Sequence, residues 1–326
     1  TEIRILKLIN AEAEYKSQSL QVPSATLLIE QQESGEYTID LRPEITLANL
    51  SFNVTHENLE KRKVFGDLRF RQAMSIAMNR DEINEVGFLG QGIPKQYVGF
   101  SPSPSFLDPK WESYMIQYDP EGANALLDEI GMKDIDGDGM RELPNGEKLI
   151  LNMQFSTQGV AGEVVELIGQ QWSEVGIQST VKEVTPDEYR SSQSSNNLDV
   201  GSWRKSQPMA IVLGNNELWV PPFENYFGHR TGMLWAEYVD SKGASGVKPP
   251  AYVTQLIDDV NAFQSTMAGT AESDELGARM VENMVGNLLF IGTVQAPAPI
   301  YHRNALKNFT SFKTHSYEYY RTYPYR

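Results

Sequence analysis

The run from Phe65 to Gly90, FGDLRFRQAMSIAMNRDEINEVGFLG, constrains this chain more than any other stretch. Asp67 is placed to cap a helix, because its carboxylate can accept a hydrogen bond from a free backbone N–H of the first turn. Phe70, Ala73, Met74 and Ala77 then recur at helical spacing and make one apolar stripe, with Arg69, Arg71 and Gln72 off it. At Asn79-Arg80-Asp81 the pattern breaks and restarts, with Asp81 as a second cap and Ile83, Val86 and Phe88 following. The reading is a helix, a short turn and a second helix.

Upstream, residues 1–50 read as strand, helix, strand. Glu2 to Leu8 alternates as a strand, Ala11 to Leu20 as a helix, and Thr26-Leu27-Leu28-Ile29 is a short apolar run. Gly35-Glu36 is a turn before an alternating strand, Tyr37 to Arg42, and Leu50 to Val54 is another strand. Residues 91–118 form a long ordered loop anchored by Tyr97, Phe100, Phe106, Trp111 and Tyr114, apolar groups that a flexible tether lacks.

The helix signals around Asp119 agree with one another. Asp119 caps, Pro120 takes the first helical position, Glu121 complements the helix dipole and Gly131 ends the helix in a left-handed turn. From residue 149 the order is strand (Leu149, Leu151, Met153, Phe155), helix (Val160–Val175), strand (Ile177–Val184), short helix (Pro186–Gln193) and strand (Leu198–Trp203). Strands separated by helices favour parallel pairing and an α/β fold. Residues 204–250 lack periodicity but are rich in aromatics. Helices near Ala251–Phe263 and Ser273–Leu289, a strand at Phe290–Val294 and a Pro-rich crossing at Gln295–Tyr301 follow.

Composition narrows the function classes. The 326 residues allow two domains, and the net charge of −15 repels phosphate, so nucleic acid and anionic membranes are poor partners. Without cysteine there is no disulfide framework, thiolate chemistry or Cys-based metal site. No run approaches the ~20 apolar residues of a membrane span. The chain opens mid-pattern at Thr1 without Met, which suggests a segment of a longer protein with any export signal or lipid anchor upstream. No G-x-S-x-G, H-E-x-x-H or P-loop string occurs, and His56, His229, His302 and His315 show no ligand spacing.

Three segments, in order, carry a resemblance: the run from Asp67 to Asn84, the capped helix Tyr118–Gly131 with the Asp-Gly turn behind it, and the Pro-rich crossing at Gln295–Tyr301. Together they resemble the family 5 extracellular solute-binding proteins, receptors of peptide and related ABC importers. The resemblance covers residues 50–326 well and 1–50 loosely. It implies an α/β, periplasmic binding protein-like fold (type II, cluster C), comprising the second lobe plus part of the first. Residues 1–50 would end lobe I, whose earlier part precedes residue 1. Residues 51–300 would form lobe II, and 301–326 would return toward lobe I. The crossings near Phe52-Asn53 and Ala296–Tyr301 would be the hinge. The implied function is solute recognition for an ABC importer, for oligopeptides or alternatively oligosaccharides. The implied protein is a non-enzymatic, extracytoplasmic monomer that meets a membrane permease.

The resemblance places Trp203, at the end of the Leu198–Trp203 strand, on the cleft wall. Open sheets also place ligands outside the carboxyl ends of their strands. Peptide-binding members often carry an acidic residue shortly after this Trp, but Arg204-Lys205 stands here, so Arg204 could meet a carboxylate instead. Trp219, Trp235 and Tyr238 are further ligand-binding candidates, and for these as for Trp203 core packing is the alternative. Asp134, Asp136 and Asp138 with Gly139 match the first half of a calcium loop, but Asn145 stands where a bidentate Glu belongs. The alternative there is an Asx-rich turn, and no other cofactor is expected. Two further functions stay open. One is a secreted hydrolase using two carboxylates. The other is a calcium-dependent interaction domain built on the Asp134 turn.

Overall fold

The computed structural model describes residues 2–16, 20, 22–43, 49–157, 159–196, 198–203, 209–223 and 231–307. Arg204, His229 and His315 lie outside them.

In chain order the elements are α1 (Glu2–Ile9), β1 (Tyr15–Lys16), α2 (Val22–Glu30), β2 (Tyr37–Pro43), β3 (Asn49–Phe52), α3 (Leu59–Gly66), α4 (Leu68–Ile76), α5 (Arg80–Phe88), β4 (Ile93–Pro94), α6 (Pro120–Glu129), β5 (Ile150–Phe155), α7 (Gly162–Glu174), β6 (Gln178–Glu183), α8 (Pro186–Ser194), β7 (Val200–Trp203), α9 (Met209–Val212), α10 (Met233–Asp240), α11 (Ala251–Ser265), α12 (Ala271–Gly286), β8 (Val294–Gln295) and β9 (Pro297–Arg303). A 3-10 turn, Pro109–Ser113, sits within the loop between β4 and α6.

The expected helix pair is present as α4 and α5. Asp67 caps α4 by accepting from Arg69 N at 2.9 Å, and Phe70, Ala73, Met74 and Ala77 are all buried. The second cap is Asn79 rather than Asp81, with its Oδ1 accepting from Glu82 N, and Val86 faces solvent. Arg71, expected off the apolar stripe, is buried, and so is Arg80 in the break between the helices. Arg71 donates to Asn287 O and Phe65 O, the carbonyls at the ends of α12 and α3. Arg80 donates to Gly292 O at 3.0 Å, Ser75 O at 2.8 Å, Ile116 O at 3.2 Å and Ser75 Oγ at 2.9 Å. The signature run therefore fastens three distant segments around two guanidinium groups.

The main sheet has the order β3-β7-β5-β6, with β5 parallel to β6 and β7, and β3 antiparallel to β7. One face of it meets α4 to α7 in the largest core, where Leu151, Met153, Phe155, Ile168 and Trp172 pack. Trp172 Nε1 donates to Met74 O at 3.0 Å, joining α7 to α4. Val184, Tyr189, Leu198 and Trp203 form a small cluster beneath α8. A second large core unites α11 and α12 with Tyr97, Phe100, Trp219 and Trp235.

A separate three-stranded sheet, β1-β9-β2, carries its own small core of Ile5, Leu8, Leu20, Leu28, Tyr37 and Tyr301. Here the sequence reading needs correction. Glu2–Leu8 is helical, because Ile5 and Leu8, three residues apart, point inward while Ile3 and Leu6 are exposed. Ala11–Leu20 holds the short β1 instead of a helix, and the Thr26–Ile29 run lies within α2. Ile291 pairs with Leu50 at an isolated bridge, and regular pairing starts only at Val294. The Pro-rich crossing is strand β9, paired antiparallel with β2 from Tyr37↔Arg303 to Pro43↔Pro297. Prolines fit because β1 pairs only with Tyr301 and His302, so Pro297 and Pro299 lie where β9 has no second neighbour among the described residues. The chain leaves the three-stranded sheet after Pro43 for β3 and re-enters it at Pro297 directly from Gln295 in a two-stranded β4-β8 sheet, so the first passage precedes β3 instead of following Phe52.

Candidate functional site

The order of connection defines a crevice. From β5 the chain passes through α7 to β6 on one side, then through α8 to β7 on the other side of β5. α7 packs in the large core, whereas α8 covers the Tyr189–Trp203 cluster. Neighbouring strands whose connections diverge leave a crevice at their carboxyl ends, where open α/β sheets take ligands. Here those strands are β5 and β7.

Among the described residues, β5 and β7 pair at one register, Met153 opposite Val200. Buried side chains join the strands on either side of it. On the amino side, Asp199 Oδ2 accepts from Asn152 N at 2.7 Å. The Asp199 carboxylate also holds Lys61 Nζ at 2.9 Å, and His56 Nε2 lies 3.2 Å from its Oδ1. His56 Nδ1 accepts from Asn58 N at 2.9 Å, so the single proton of a neutral ring lies on Nε2, facing the carboxylate. Burial opposes the Asp199 charge, but the bonds from His56, Lys61 and Asn152 outweigh it and hold the pKa below the ordinary 3.8.

On the carboxyl side the hydroxyl of Tyr189 accepts from Ser202 N at 2.8 Å and donates to Ser202 O at 3.0 Å. The Tyr189 ring stacks on Trp203 at 5.4 Å between centroids and 25° between planes. Burial pushes the phenol pKa up, so the proton that makes the second bond stays in place at neutral pH. Gly159, on the turn after β5, lies against the Trp203 ring, and a Cβ there would come 2.4 Å from it.

The residues singled out in the sequence separate in space. Trp203 ends β7 and is buried in the small cluster under α8, with 7% of its surface exposed. Trp219 is fully buried against Phe100, with 4.6 Å between centroids, and its Nε1 has no hydrogen-bond partner among the described residues. Trp235 is nearly buried and meets Tyr252 edge-on. Tyr238 is half-buried against Gly243. Trp219 and Trp235 thus lie in the second core, apart from the cluster that holds Trp203. Tyr189 and Asp199 were not singled out. A charged residue inside the short strand Leu198–Trp203 was the only signal for Asp199, and no local pattern marks Tyr189.

Asp134, Asp136 and Asp138 do come together, with one oxygen from each within 4.8 Å of the others. Their bonds are those of a turn. Asp134 accepts from Gly137 N at 2.7 Å and Gly139 N at 2.9 Å, while Lys148 Nζ sits 2.7 Å from both Asp136 and Asp138. Gly137 and Gly139 take φ of +80° and +86°, the left-handed region that glycine tolerates. Asp134→Ala should therefore cost about 1–2 kcal/mol through two lost backbone caps, and Asp136→Ala under about 0.5 kcal/mol. Urea denaturation distinguishes this from a cation-built loop, in which either variant would abolish a calcium-dependent gain in stability.

The α/β sheet with its crevice at the carboxyl ends defines a binding-protein fold, and solved structures agree. The oligopeptide-binding protein OppA superposes with a TM-score of 0.73 at 26% identity, over 97% of this chain and 52% of that one. MelB of Agrobacterium fabrum C58, solved with stachyose, shares the fold with a TM-score of 0.72 at 19% identity, over 92% of this chain and 45% of its own. The chain belongs to the bacterial extracellular solute-binding proteins, family 5, whose middle-region model matches residues 10–210. Among curated relatives, the periplasmic alpha-galactoside-binding protein of Rhizobium meliloti is 26% identical over 210 residues, 62% of this chain and 28% of that protein. The dipeptide-binding protein of Escherichia coli is 27% identical over 139 residues, 43% of this chain and 23% of its own length. The chain thus covers less than a third of these curated relatives and about half of the solved ones. Among the described residues no helix is long and apolar enough to cross a membrane.

Proposed function

We propose that this chain is part of a solute receptor for an ABC importer, working outside the cytoplasmic membrane and delivering cargo to a membrane permease. The observation that carries the reading is the strand order β7-β5-β6, whose connections diverge at β5 and β7, in a chain of this family. The unit built on β3-β7-β5-β6 supplies one wall of the cleft, and the unit built on β1-β9-β2 belongs to the other lobe. The two chain passages, after Pro43 and between Gln295 and Pro297, act as the hinge about which the lobes close. Binding then proceeds without covalent change to the cargo.

The cargo proposed is an oligopeptide, supported by the likeness to OppA over nearly all of this chain. An oligosaccharide is the second reading, supported by the alpha-galactoside-binding relative. Native mass spectrometry of the full-length protein as purified separates them. A bound mass that fragments as a peptide is expected, a hexose ladder selects the second reading, and turnover of added peptides would overturn both.

A further inference from the structure

We infer that Tyr189 is a positioning residue for the crevice: its hydroxyl stands in for the missing β5 partner of Ser202 and thereby seats the Trp203 ring. The role of Trp203 toward cargo rests on the reading above, but the seating does not.

The backbone geometry carries the argument. In β3, Leu50 lies opposite Ser202, and Leu50 directs its own N–H and C=O to Ile291 at 2.9 and 2.8 Å. A residue pair in an antiparallel ladder either exchanges both bonds or neither. Leu50 and Ser202 exchange neither, so the Ser202 N–H and C=O point the other way, toward β5. Past Met153↔Val200 no backbone partner from β5 meets them. A buried peptide left in that state carries the full desolvation penalty of both groups, which favours closing the strands together or pulling the segment out. One phenol answers both needs, accepting from the N–H and donating to the C=O. Because the phenol comes from α8, the strands stay apart at their carboxyl ends. Trp203, the next residue, is then gripped between the Tyr189 ring and Gly159. The crevice is held open by a side chain, and the same side chain orients the indole that ends β7.

The test uses full-length protein labelled with 5-fluorotryptophan, with the Trp203 fluorine signal assigned by its loss in Trp203→Phe. Tyr189→Phe keeps the ring and removes both bonds. The expected result is a Trp203 signal that shifts or splits while the other tryptophan signals hold. A Trp203 signal identical to wild type overturns the proposal. Hydrogen exchange of the Ser202 amide in the unmodified protein gives a readout that needs no variant to fold. Protection comparable to the paired β3–β7 amides is expected, falling by at least about tenfold in Tyr189→Phe. Exchange at the rate of an exposed loop in wild type overturns the proposal. Adding tri-alanine or stachyose to the wild-type sample asks the separate question. If the Trp203 signal depends on Tyr189 yet ignores both solutes, the seating stands and the cargo role of Trp203 falls.

Discussion

Arg80→Met is expected to destabilise the protein by about 4 kcal/mol, the range seen when a buried charge network loses its central member. Four bonds to three segments depend on this one guanidinium: Ser75 at the end of α4, Ile116 in the long loop and Gly292 beyond α12. Methionine fills much of the volume but leaves buried carbonyls unpaired, and each such group carries its full desolvation penalty. No carboxylate is among these partners. Burial lowers the Arg80 pKa to about 9, still above neutrality, so the group remains charged at pH 7. Arg80→Lys should recover only part of the loss, because an ammonium cannot reach acceptors spread around a planar fork. Urea unfolding followed by circular dichroism measures both. An unchanged midpoint in Arg80→Met would show that the carbonyls find other partners and that the signature run is not fastened here.

Asp199→Asn is the second large effect, about 3 kcal/mol. The carboxylate is buried and gathers Lys61, His56 and Asn152 N, so neutralising it leaves an ammonium without its counter-charge and weakens the β5–β7 seam on its amino side. The value sits low in the range for broken buried pairs because the Lys61 side chain is 19% exposed and reaches water. The sign of the pH dependence follows. The folded pKa lies below the ordinary 3.8, so the unfolded chain binds this proton first as pH falls. The stabilisation is complete above the unfolded value and disappears as pH drops through the lowered folded value. Wild type should thus lose stability below about pH 4 more steeply than Asp199→Asn. Parallel acid slopes in the two proteins would remove Asp199 from the account.

The α/β half of the fold was legible because its signals are local and mutually consistent. Asp119, Pro120 and Gly131 bound α6, and the alternation of Leu149, Leu151, Met153 and Phe155 matches the buried side of the β5 segment. Errors fell where two periods overlap or where a partner is remote. Ile3, Ile5 and Leu8 satisfy a strand and a helix about equally until the sheet they would join is known. Prolines at 297 and 299 argue against a strand, and only the short reach of β1 makes one possible. Short runs placed Trp203 at the end of its strand and Asp134 in a turn, and both stand there in the structure. The burial of Arg71 and Arg80 was not legible, because nothing in a sequence window reveals that carbonyl ends from α3, α12 and the long loop converge on them. Tyr189 is the extreme case: its role depends on where β5 stops pairing with β7.

The pairing of β2 with β9 also dictates the order in which this polypeptide can mature. Thr38 Oγ1 bonds to Asn304 Oδ1, a partner 266 positions later. At roughly 5–20 residues per second, a ribosome takes about 13 to 53 seconds to supply that partner. Throughout that interval the greasy sides of α1, α2 and β2 lack Tyr301 and must be shielded by something other than their eventual neighbour. The main sheet, whose strands β5 to β7 are close in sequence, can assemble during the wait. In a nascent chain, all four strands of the main sheet are thus present while the small cluster around Tyr301 is still open.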